Sequence, residues 1–309
     1  MIVCCGEALI DMLPRQSSTG ESCFAPHAGG AIFNTAIALG RLGVPTGFFS
    51  GLSRDMFGAL LAQTLEQSLV NTRYCACSDR PTTLAFVELR NGQANYRFYD
   101  ENSAGRMITE ADLPTLGNDV QALMFGGISL LPEPCASTYE ILMTREREKR
   151  IIMLDPNIRP GFITNEDVYL ERLKRLFALA DIVKLSDEDL NWVATRLGCG
   201  SDALIASLLA DNVALVLITR GGAGSDGHAK SGKTTAVGKP VSVVDTIGAG
   251  DTFNAGILAA LHRQGLLDRP TLAAIVPSQV EQALQLANKV AAVTVSRAGA
   301  NPPWSHELG

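Results

Sequence analysis

The sequence predicts an α/β fold in three layers, α/β/α, with a mostly parallel central sheet, and two observations support this prediction. Short apolar segments typical of strands alternate along the 309 residues with amphipathic segments typical of helices. The strand-like segments are apolar at almost every position, as expected of parallel strands that helices cover on both faces. Because the sequence shows no internal repeat and no low-complexity linker, we expect a single domain over residues 1–309.

The predicted strands are short apolar runs, most of them followed by a helical pattern. The run after Met1 predicts the first strand, and the fully apolar run 213–219 predicts a strand buried on both faces. The predicted strands are 2–5, 48–52, 122–125, 151–155, 182–185, 213–219 and 241–244.

The helices are predicted from periodic apolar positions and from their end signals. The first helix ends at Gly43, with Pro45 beyond it. In the second helix, Phe57, Leu61 and Leu65 face inward. The predicted helices are 31–42, 55–69, 135–148, 166–179, 187–196, 277–295 and one that begins at Asp251.

One region departs from this alternation. Residues 83–88 and 94–99 are rich in strand-forming residues and flank Asn91-Gly92, a strong signal for a β-hairpin. We expect the segments 12–26 and 83–105 to form a small β-sheet inserted as a lid over the main domain. A closing lid excludes water from a site. A dimer contact or a hairpin without function is an equally good interpretation of the hairpin alone.

Composition and charge exclude several classes of protein. With 46% hydrophobic and 19% charged residues, the composition is that of a soluble globular protein. The net charge is −6 and the one basic cluster is 145–150, which argues against nucleic acid as a partner. The sequence has no apolar stretch of about eighteen residues, and Glu7 and Asp11 interrupt the apolar N-terminus. We therefore expect neither a membrane span nor a signal peptide.

The seven cysteines are scattered and include no Cys-x-x-Cys pair. Cys75 and Cys77 alternate on a predicted strand and point to one face, but a metal or redox site needs more ligands. The pattern favours free thiols in a reducing cytoplasm.

The most informative segment is 245–256, with the sequence Asp-Thr-Ile-Gly-Ala-Gly-Asp-Thr-Phe-Asn-Ala-Gly. The small residues Gly248, Ala249 and Gly250 let an anion approach backbone N–H groups at a helix N-terminus, where the helix dipole favours negative charge. Asp251 beside them can accept a proton from a hydroxyl group that attacks phosphorus. The segment therefore predicts a phosphoryl-transfer site. The competing interpretation is ordinary helix capping and close packing of a helix on a strand.

A second motif lies near the N-terminus, where residues 27–34 read His-Ala-Gly-Gly-Ala-Ile-Phe-Asn. Gly29 and Gly30 permit close approach of a ligand at the start of a helix, and Asn34 offers both a donor and an acceptor. Asp11, after the first strand, is a natural acceptor for sugar hydroxyl groups. The competing interpretation is a capped helix whose small residues pack inward.

Residues 227–234 match the P-loop pattern G-x-x-x-x-G-K-[ST], yet we do not predict a P-loop here. That motif requires a strand directly before it and a helix directly after it. Several loop residues separate it from the strand 213–219, and residues 235–240 contain Gly and Pro and predict extended chain.

The segments Gly29-Gly-Ala-x-x-Asn34 and Asp245-Thr-x-Gly-Ala-Gly-Asp251 together resemble the paired signature of the ribokinase-like (PfkB-type) sugar kinases. The similarity extends over essentially the whole chain and includes the opening Gly6-Glu-Ala-Leu-Ile-Asp11 and the lid hairpin. The resemblance implies an α/β core with a β lid, a small sugar as substrate, ATP as phosphoryl donor with Mg²⁺ as its partner, and a homodimer.

The resemblance also implies a role for each motif residue. Asp251 would be the general base, and the amides of Gly248, Ala249 and Gly250 would form the anion hole. The residues that would hold the sugar are Asp11, Gly29, Gly30, Asn34 and Arg159. The residues that would bind ATP are Lys184, Ser186, Thr219, Gly222, Gly224 and Asn288. Asp189 would reach the hydrated metal through water, and backbone carbonyls near Asp245, Ile247 and Gly299 would hold a monovalent cation such as K⁺.

The chain departs from the family pattern at two of these positions. Ser186 stands where Asn is common, and Asp189 stands where Glu is common. The pair Ser186-x-x-Asp189 is also a plain capping box, so capping competes with the nucleotide and metal roles.

The acceptor is predicted from three segments, 6–11, 84–87 and 155–160, which resemble bacterial fructokinases. They favour D-fructose, phosphorylated on its 6-hydroxyl. The first alternative is 2-keto-3-deoxygluconate, whose kinases usually place an Arg three residues before a Ser-Ala pair in the lid. This chain has Asp100 there, although Arg97 is nearby.

Ribose and nucleosides come third among the acceptors. The non-enzyme alternative is a catalytically silent sugar-sensing protein of the same fold. Asp251 and its glycines argue against it, because a sensor needs neither a base nor an anion hole.

Overall fold

The structure, a computed structural model, describes residues 1–90 and 93–309 of the chain. Its strands are β1 Ile2–Cys5, β2 Leu9–Gln16, β3 Ser22–Gly29, β4 Thr46–Phe49, β5 Gly51–Ser53, β6 Val70–Asn71, β7 Ala76–Ser78, β8 Leu84–Arg90, β9 Gln93–Tyr99, β10 Ala122–Gly126, β11 Ile151–Asp155, β12 Ile182–Ser186, β13 Leu215–Thr219, β14 Gly224–Ala229 and β15 Gly232–Val237. Its α-helices are α1 Ala31–Arg41, α2 Met56–Gln67, α3 Cys135–Glu146, α4 Glu166–Leu179, α5 Asp187–Leu197, α6 Ser201–Ala210, α7 Ala249–Arg263, α8 Arg269–Ala273 and α9 Pro277–Val295.

Nine strands form the central sheet, in the order β15-β14-β13-β12-β11-β10-β1-β4-β6. Neighbours from β6 to β13 run parallel, and β14 and β15 join antiparallel at one end. The predicted α/β class with a mostly parallel sheet is confirmed. The strand order changes direction between β1 and β10, and ligands of such sheets bind outside the carboxyl ends of the strands at this point.

Side chains from alternate strand positions enter two separate cores, one on each face of the sheet. In β1, Ile2 and Cys4 join the core beneath α1, α7 and α9, whereas Val3 and Cys5 join the core beneath α3 to α6. Both faces are therefore buried, which explains why the strands are apolar throughout. A fully buried Ile or Leu side chain contributes roughly 2 kcal/mol, so the two cores hold the carboxyl edge of the sheet firmly in place.

A separate sheet has the strand order β3-β2-β8-β9. Asp11 in β2 and Phe98 in β9 both pair with Ala85 in β8, so their side chains share one face of this lid sheet. The small separate sheet is therefore confirmed. The turn at Asn91-Gly92 that predicted the hairpin lies outside the described residues.

One predicted strand is wrong. Residues 241–244 are extended chain without a strand partner, and the N–H of Val244 donates to the carbonyl of Val295 at the end of α9 (2.8 Å). Val241 and Val243 are exposed and line a cleft. These apolar side chains therefore belong to the wall of a cleft and not to the core, and the sequence pattern is the same in both cases.

Two other features differ from the sequence-based expectation or were not predicted. Helix α7 begins at Ala249, two residues before the predicted start. The β14–β15 hairpin and the helices α6 and α8 had no prediction. The P-loop-like segment lies in this hairpin, with Gly227 in β14 and Lys233 in β15, so the decision against a P-loop is confirmed.

Within residues 1–90 and 93–309, no single helix is long and apolar enough to cross a membrane. The pair α5 and α6, bent by 86° at a short break, passes the same test by length and composition only. All seven cysteines are free thiols, as predicted, and Cys4, Cys5 and Cys135 are buried.

The buried pair of Arg150 and Glu146 at the end of α3 gives a stability prediction. Both side chains are 6% exposed, and Arg150 also donates to the carbonyls of Val120 and Leu116. We expect Arg150→Met to lower the free energy of unfolding by about 3 kcal/mol, because it leaves buried acceptors without their donor. Urea unfolding followed by circular dichroism measures this change.

Arg54→Met is the matched control, because the Arg54–Asp79 pair (3.1 Å) is largely exposed. It should cost less than about 1 kcal/mol. Equal losses for the two variants would contradict the assignment of a structural role to the buried pair.

Candidate active site

Two clefts meet at the N-terminus of α7. The lid-side cleft, about 730 Å³ in volume, lies between the lid sheet and the carboxyl edge of the central sheet. The hairpin-side cleft, about 380 Å³, is lined by the β13–β14 connection, residues 238–246 and α9. Thr246, Ala249 and Gly250 line both clefts. Ligands bound in the two clefts can therefore meet across the first turn of α7.

Asp251 lies in this first turn, lines the lid-side cleft and is 8% exposed. Its Oδ2 accepts a hydrogen bond from Asn34 Nδ2 (2.9 Å), and its carbonyl accepts one from Thr35 Oγ1 (3.1 Å), so α1 holds it in place. Burial raises the pKa of Asp251 to about 7; the hydrogen bond from Asn34 and the charge of Lys184 lower it, and the charge of Asp155 adds to the rise. A carboxylate with such a pKa suits general-base catalysis at neutral pH.

The entry to α7 is built from small residues. Gly248 has a φ of 78°, a conformation that favours glycine, and a Cβ there would lie 2.8 Å from the Cβ of Ala300. A helix N-terminus presents N–H groups that have no acceptor within the helix. Gly248, Ala249 and Gly250 place this end of α7 on the wall of the lid-side cleft, where it can bind an anion.

On the lid side, two glycines shape the wall that carries Asp11. A Cβ on Gly29 would lie 2.4 Å from Asp11 Oδ2, so Gly29 makes room for the carboxylate although it does not itself line the cleft. Gly30 has a φ of 114° and would place a Cβ 2.8 Å from the carbonyl oxygen of Glu7. Burial raises the pKa of Asp11 to about 6. Asp11, Gly30 and Asn34 line the lid-side cleft together with Asp251.

Glu7 also lines this cleft, and sequence reasoning did not select it. Its Oε1 accepts the N–H of Ala31 at the start of α1 (2.9 Å), and its Oε2 lies 3.4 Å from the N–H of Ser129. Gly127, with a φ of 68°, leaves room for it, since a Cβ there would lie 2.2 Å from Oε1. Burial raises the pKa of Glu7. An acidic residue directly after the first strand was the signal available in the sequence.

The loop after β11 supplies the opposite wall. Arg159 lines the lid-side cleft, is exposed, and donates from Nη1 to the carbonyl of Ile158 (3.0 Å). The backbone of this loop is held by two buried carboxylates. Asp155 Oδ1 accepts the N–H of Asn157 (3.1 Å), and Asp189 Oδ1 accepts the N–H of Ile158 (2.9 Å).

Ser186 and Asp189 form the capping box at the start of α5. Ser186 Oγ accepts the N–H of Asp189 (3.0 Å), and Asp189 Oδ2 accepts the N–H of Ser186 (3.1 Å). The capping interpretation is confirmed. Both carboxylate oxygens of Asp189 thus accept backbone N–H groups, and its role toward a metal stays a prediction.

Lys184 does not lie on a surface where it could contact a nucleotide directly. Its side chain is 4% exposed, and it lines neither cleft. Its Nζ donates to Asp155 Oδ2 (3.0 Å). Lys184 therefore lies behind the wall of the clefts, and its assignment to the nucleotide stays a prediction.

Four of the predicted nucleotide residues do come together in the hairpin-side cleft: Thr219, Gly222, Gly224 and Asn288. Gly224 has a φ of 101°, and a Cβ there would lie 2.2 Å from the carbonyl oxygen of Ala236. The amide of Asn288 accepts from Ser225 Oγ (3.0 Å) and donates to the carbonyl of Ala236 (3.1 Å). Asn288 thus ties α9 to the β14–β15 hairpin and fixes the shape of this cleft.

The three residues predicted near a monovalent cation also come together. Asp245 Oδ1 accepts the N–H of Ile247 (3.0 Å), and Asp245 Oδ2 accepts the N–H of Gly299 (2.9 Å). The Asp245 side chain thus joins the segment before α7 to the segment after α9.

With this geometry established, comparison with known proteins identifies the family. A family model described as "pfkB family carbohydrate kinase" matches residues 1–307. A fructokinase of Rhizobium leguminosarum bv. trifolii is 57% identical over 275 residues, which cover 89% of this chain and 84% of the relative. Probable fructokinase-5 of Arabidopsis thaliana is 32% identical over 310 residues, which cover 98% of this chain and 93% of the relative.

A solved structure shows that the similarity to fructokinases extends to the fold. The crystal structure of a fructokinase with bound ATP from Xylella fastidiosa matches with a TM-score of 0.92 at 29% sequence identity, over 99% of this chain and 97% of that chain. The predicted family is therefore confirmed, and with it the transfer of a phosphoryl group to an alcohol. This chain belongs to the pfkB family of carbohydrate kinases.

Proposed function

We propose that the protein transfers the γ-phosphoryl group of ATP to the 6-hydroxyl group of D-fructose. The observation that supports this best is the shared wall of the two clefts, formed by Thr246, Ala249 and Gly250. A nucleotide in the hairpin-side cleft would present its terminal phosphate at the N-terminus of α7. A sugar in the lid-side cleft would present its hydroxyl beside Asp251.

The chemistry follows from this placement. Asp251 accepts the hydroxyl proton while the sugar oxygen bonds to the γ-phosphorus and the bond from that phosphorus to the bridging oxygen of ADP breaks. The amides of Gly248, Ala249 and Gly250 stabilise the charge that develops on the phosphoryl oxygens. ADP then leaves, and Asp251 returns its proton to solvent.

The cations fit the same arrangement. Among the described residues, no group of three or more His, Cys, Asp or Glu is placed to hold a metal ion. This suits Mg²⁺, which keeps several water molecules and binds mainly to phosphates. When bound, it would neutralise charge on the β- and γ-phosphates. Asp189 is 4% exposed, lines neither cleft and already accepts backbone N–H groups with both carboxylate oxygens, so this geometry does not favour the predicted contact of Asp189 with the metal through water. K⁺ would be held by backbone carbonyls near Asp245, Ile247 and Gly299, which the Asp245 side chain holds together.

The choice of fructose rests on the 57% identical fructokinase and on one ion pair. Asp100 accepts a hydrogen bond from Arg106 Nη1 (3.1 Å) in a cavity that shares Phe98 and Phe162 with the lid-side cleft. The Asp100 carboxylate would repel a sugar acid, and Arg106 is already paired. This disfavours 2-keto-3-deoxygluconate.

Release of ADP from Mg-ATP, measured with fructose, 2-keto-3-deoxygluconate, ribose, glucose and adenosine in turn, tests the proposal. We expect the highest kcat/KM with fructose. A higher value with the sugar acid would contradict the role given to Asp100. No sugar-dependent release with any acceptor would favour the silent sensor.

Asp251→Asn tests the general base. We expect kcat to fall at least about a hundredfold, because the amide cannot accept the hydroxyl proton. The matched control is Asp202→Asn, since Asp202 is an exposed aspartate in the first turn of α6. If Asp251 only caps its helix, both variants will keep wild-type turnover, and the assignment of the base is then wrong.

We also propose that the protein is a cytoplasmic homodimer joined through the lid sheet. Phe24 and Tyr99 are 48% and 50% exposed on the face opposite Asp11, and Phe86 packs between them at 5.0 and 5.5 Å between ring centres. Exposed apolar patches of this kind mark interaction surfaces. Sedimentation velocity should show a dimer that Phe24→Ser dissociates, and a monomeric wild type would contradict the proposal.

A further inference from the structure

A buried ion pair lies directly behind the point where the clefts meet. Asp155 at the end of β11, Lys184 in β12 and Asn254 in α7 are all buried. Asp155 Oδ2 accepts from Lys184 Nζ (3.0 Å) and from Asn254 Nδ2 (2.7 Å). One carboxylate thus joins two neighbouring strands to the helix that carries Asp251.

The Lys184 ammonium group lies against the small residues at the start of α7. A Cβ placed on Gly250 would lie 3.2 Å from Lys184 Nζ. Apart from its chain neighbours and the nearby backbone of α7, no other described atom lies within 4 Å of that position. Gly250 therefore has a second reason to be small, which is to leave space for this ammonium. Among the described residues, Asp155 is the ammonium's one hydrogen-bond acceptor.

A contribution to folding stability does not explain why the Asp155–Lys184 ion pair is buried here. Removing two charges from water costs several kcal/mol per ion, and apolar side chains of similar volume are often at least as stable in such a place. Neither Asp155 nor Lys184 lines either of the two clefts. Direct contact with a ligand bound there therefore does not explain the pair.

We propose that the Asp155–Lys184 pair is a positioning device for Asp251, and that its two opposite charges keep the Asp251 carboxylate ready to accept a proton. This inference rests on the proposed function of Asp251 as the base. The pair also fixes the first turns of α7 to the loop after β11, because Asp155 holds both Asn254 and the N–H of Asn157.

The charges act on Asp251 in opposite directions. Burial is the main reason why the pKa of Asp251 rises to about 7, Asp155 and Glu7 raise it further, and Asn34 and Lys184 lower it. Burial lowers the pKa of Lys184, but the neighbouring carboxylates of Asp155, Asp189 and Asp251 together keep it above its ordinary value. The direction of this shift favours the charged form of Lys184.

The experiment is the pH dependence of kcat/KM for fructose between about pH 5 and about pH 9, where the value should fall about tenfold per pH unit below the pKa of the free enzyme's base. We expect the wild-type acid limb to lie near pH 7, in line with the pKa of Asp251. Lys184→Met should shift this limb upward by about one pH unit, and Asp155→Asn should shift it downward by about as much. The double variant should lie between the two single variants.

The KM for fructose should change less than about twofold in all three variants, because neither side chain lines the lid-side cleft. Lys174→Met is the control, since Lys174 is paired with Glu171 (2.6 Å) on an exposed surface. Its acid limb should coincide with that of the wild type.

Two outcomes would overturn the proposal. One is an acid limb that stays at the wild-type pH in both single variants while kcat falls, which indicates a merely structural role. The other is a shift of both variants in the same direction. If Lys184→Met is not recovered as a folded protein, Lys184→Gln keeps a donor for Asp155 and must show the same upward shift. An inactive wild type would instead contradict the proposed function itself, so the two failures are distinguishable.

Discussion

The structure depends on one constraint: the first turn of α7 must face two clefts at once. Its small residues form the wall common to both clefts, and its aspartate lies on the lid side of that wall. The positive φ of Gly248 turns the chain into the helix at the required point. Neighbouring elements hold the start of α7 in place through hydrogen bonds with Asn34 in α1 and with Asp155 at the end of β11.

Several buried polar groups surround this turn, and each is held by a specific partner. Asn34 holds the Asp251 carboxylate from α1, and Asn254 anchors the next turn of α7 to Asp155. Glu7 accepts the N–H of Ala31 in the first turn of α1. Buried polar groups with specific partners fix geometry at a cost in desolvation, and Asn254 contributes to that cost because its buried Oδ1 has no partner among the described residues. Such a cost agrees with the proposed role of Asp251, because a carboxylate that acts as a base near neutral pH must be desolvated.

The regular part of the fold followed from the sequence because both faces of the sheet are buried. Continuous apolar runs predicted β1 and β11 with their observed bounds, and end signals predicted α4 and α9 equally well. The β14–β15 hairpin was not predicted because its residues are small or polar and it forms the edge of the sheet. Residues 241–244 resemble a strand in sequence because a cleft wall can be as apolar as a core strand.

The site was predictable where a short motif contains the chemistry and unpredictable where the contact is long-range. Asp251, Asn34 and Asp11 were found from local patterns and do line one cleft. The burial of Lys184 was not predicted, since lysine is ordinarily exposed and its partner is 29 positions away. Glu7 was missed for the same reason, because its partners are the N–H groups of distant turns.

A crystal structure with fructose, Mg²⁺ and a non-hydrolysable ATP analogue tests most directly whether the first turn of α7 lies between the sugar and the nucleotide. We expect an Asp251 carboxylate oxygen at about 2.6–3.2 Å from the sugar's 6-hydroxyl oxygen. We also expect the terminal phosphate at the backbone N–H groups of residues 248–250. A fructose bound with its 6-hydroxyl away from Asp251, or a terminal phosphate remote from the start of α7, would contradict this placement.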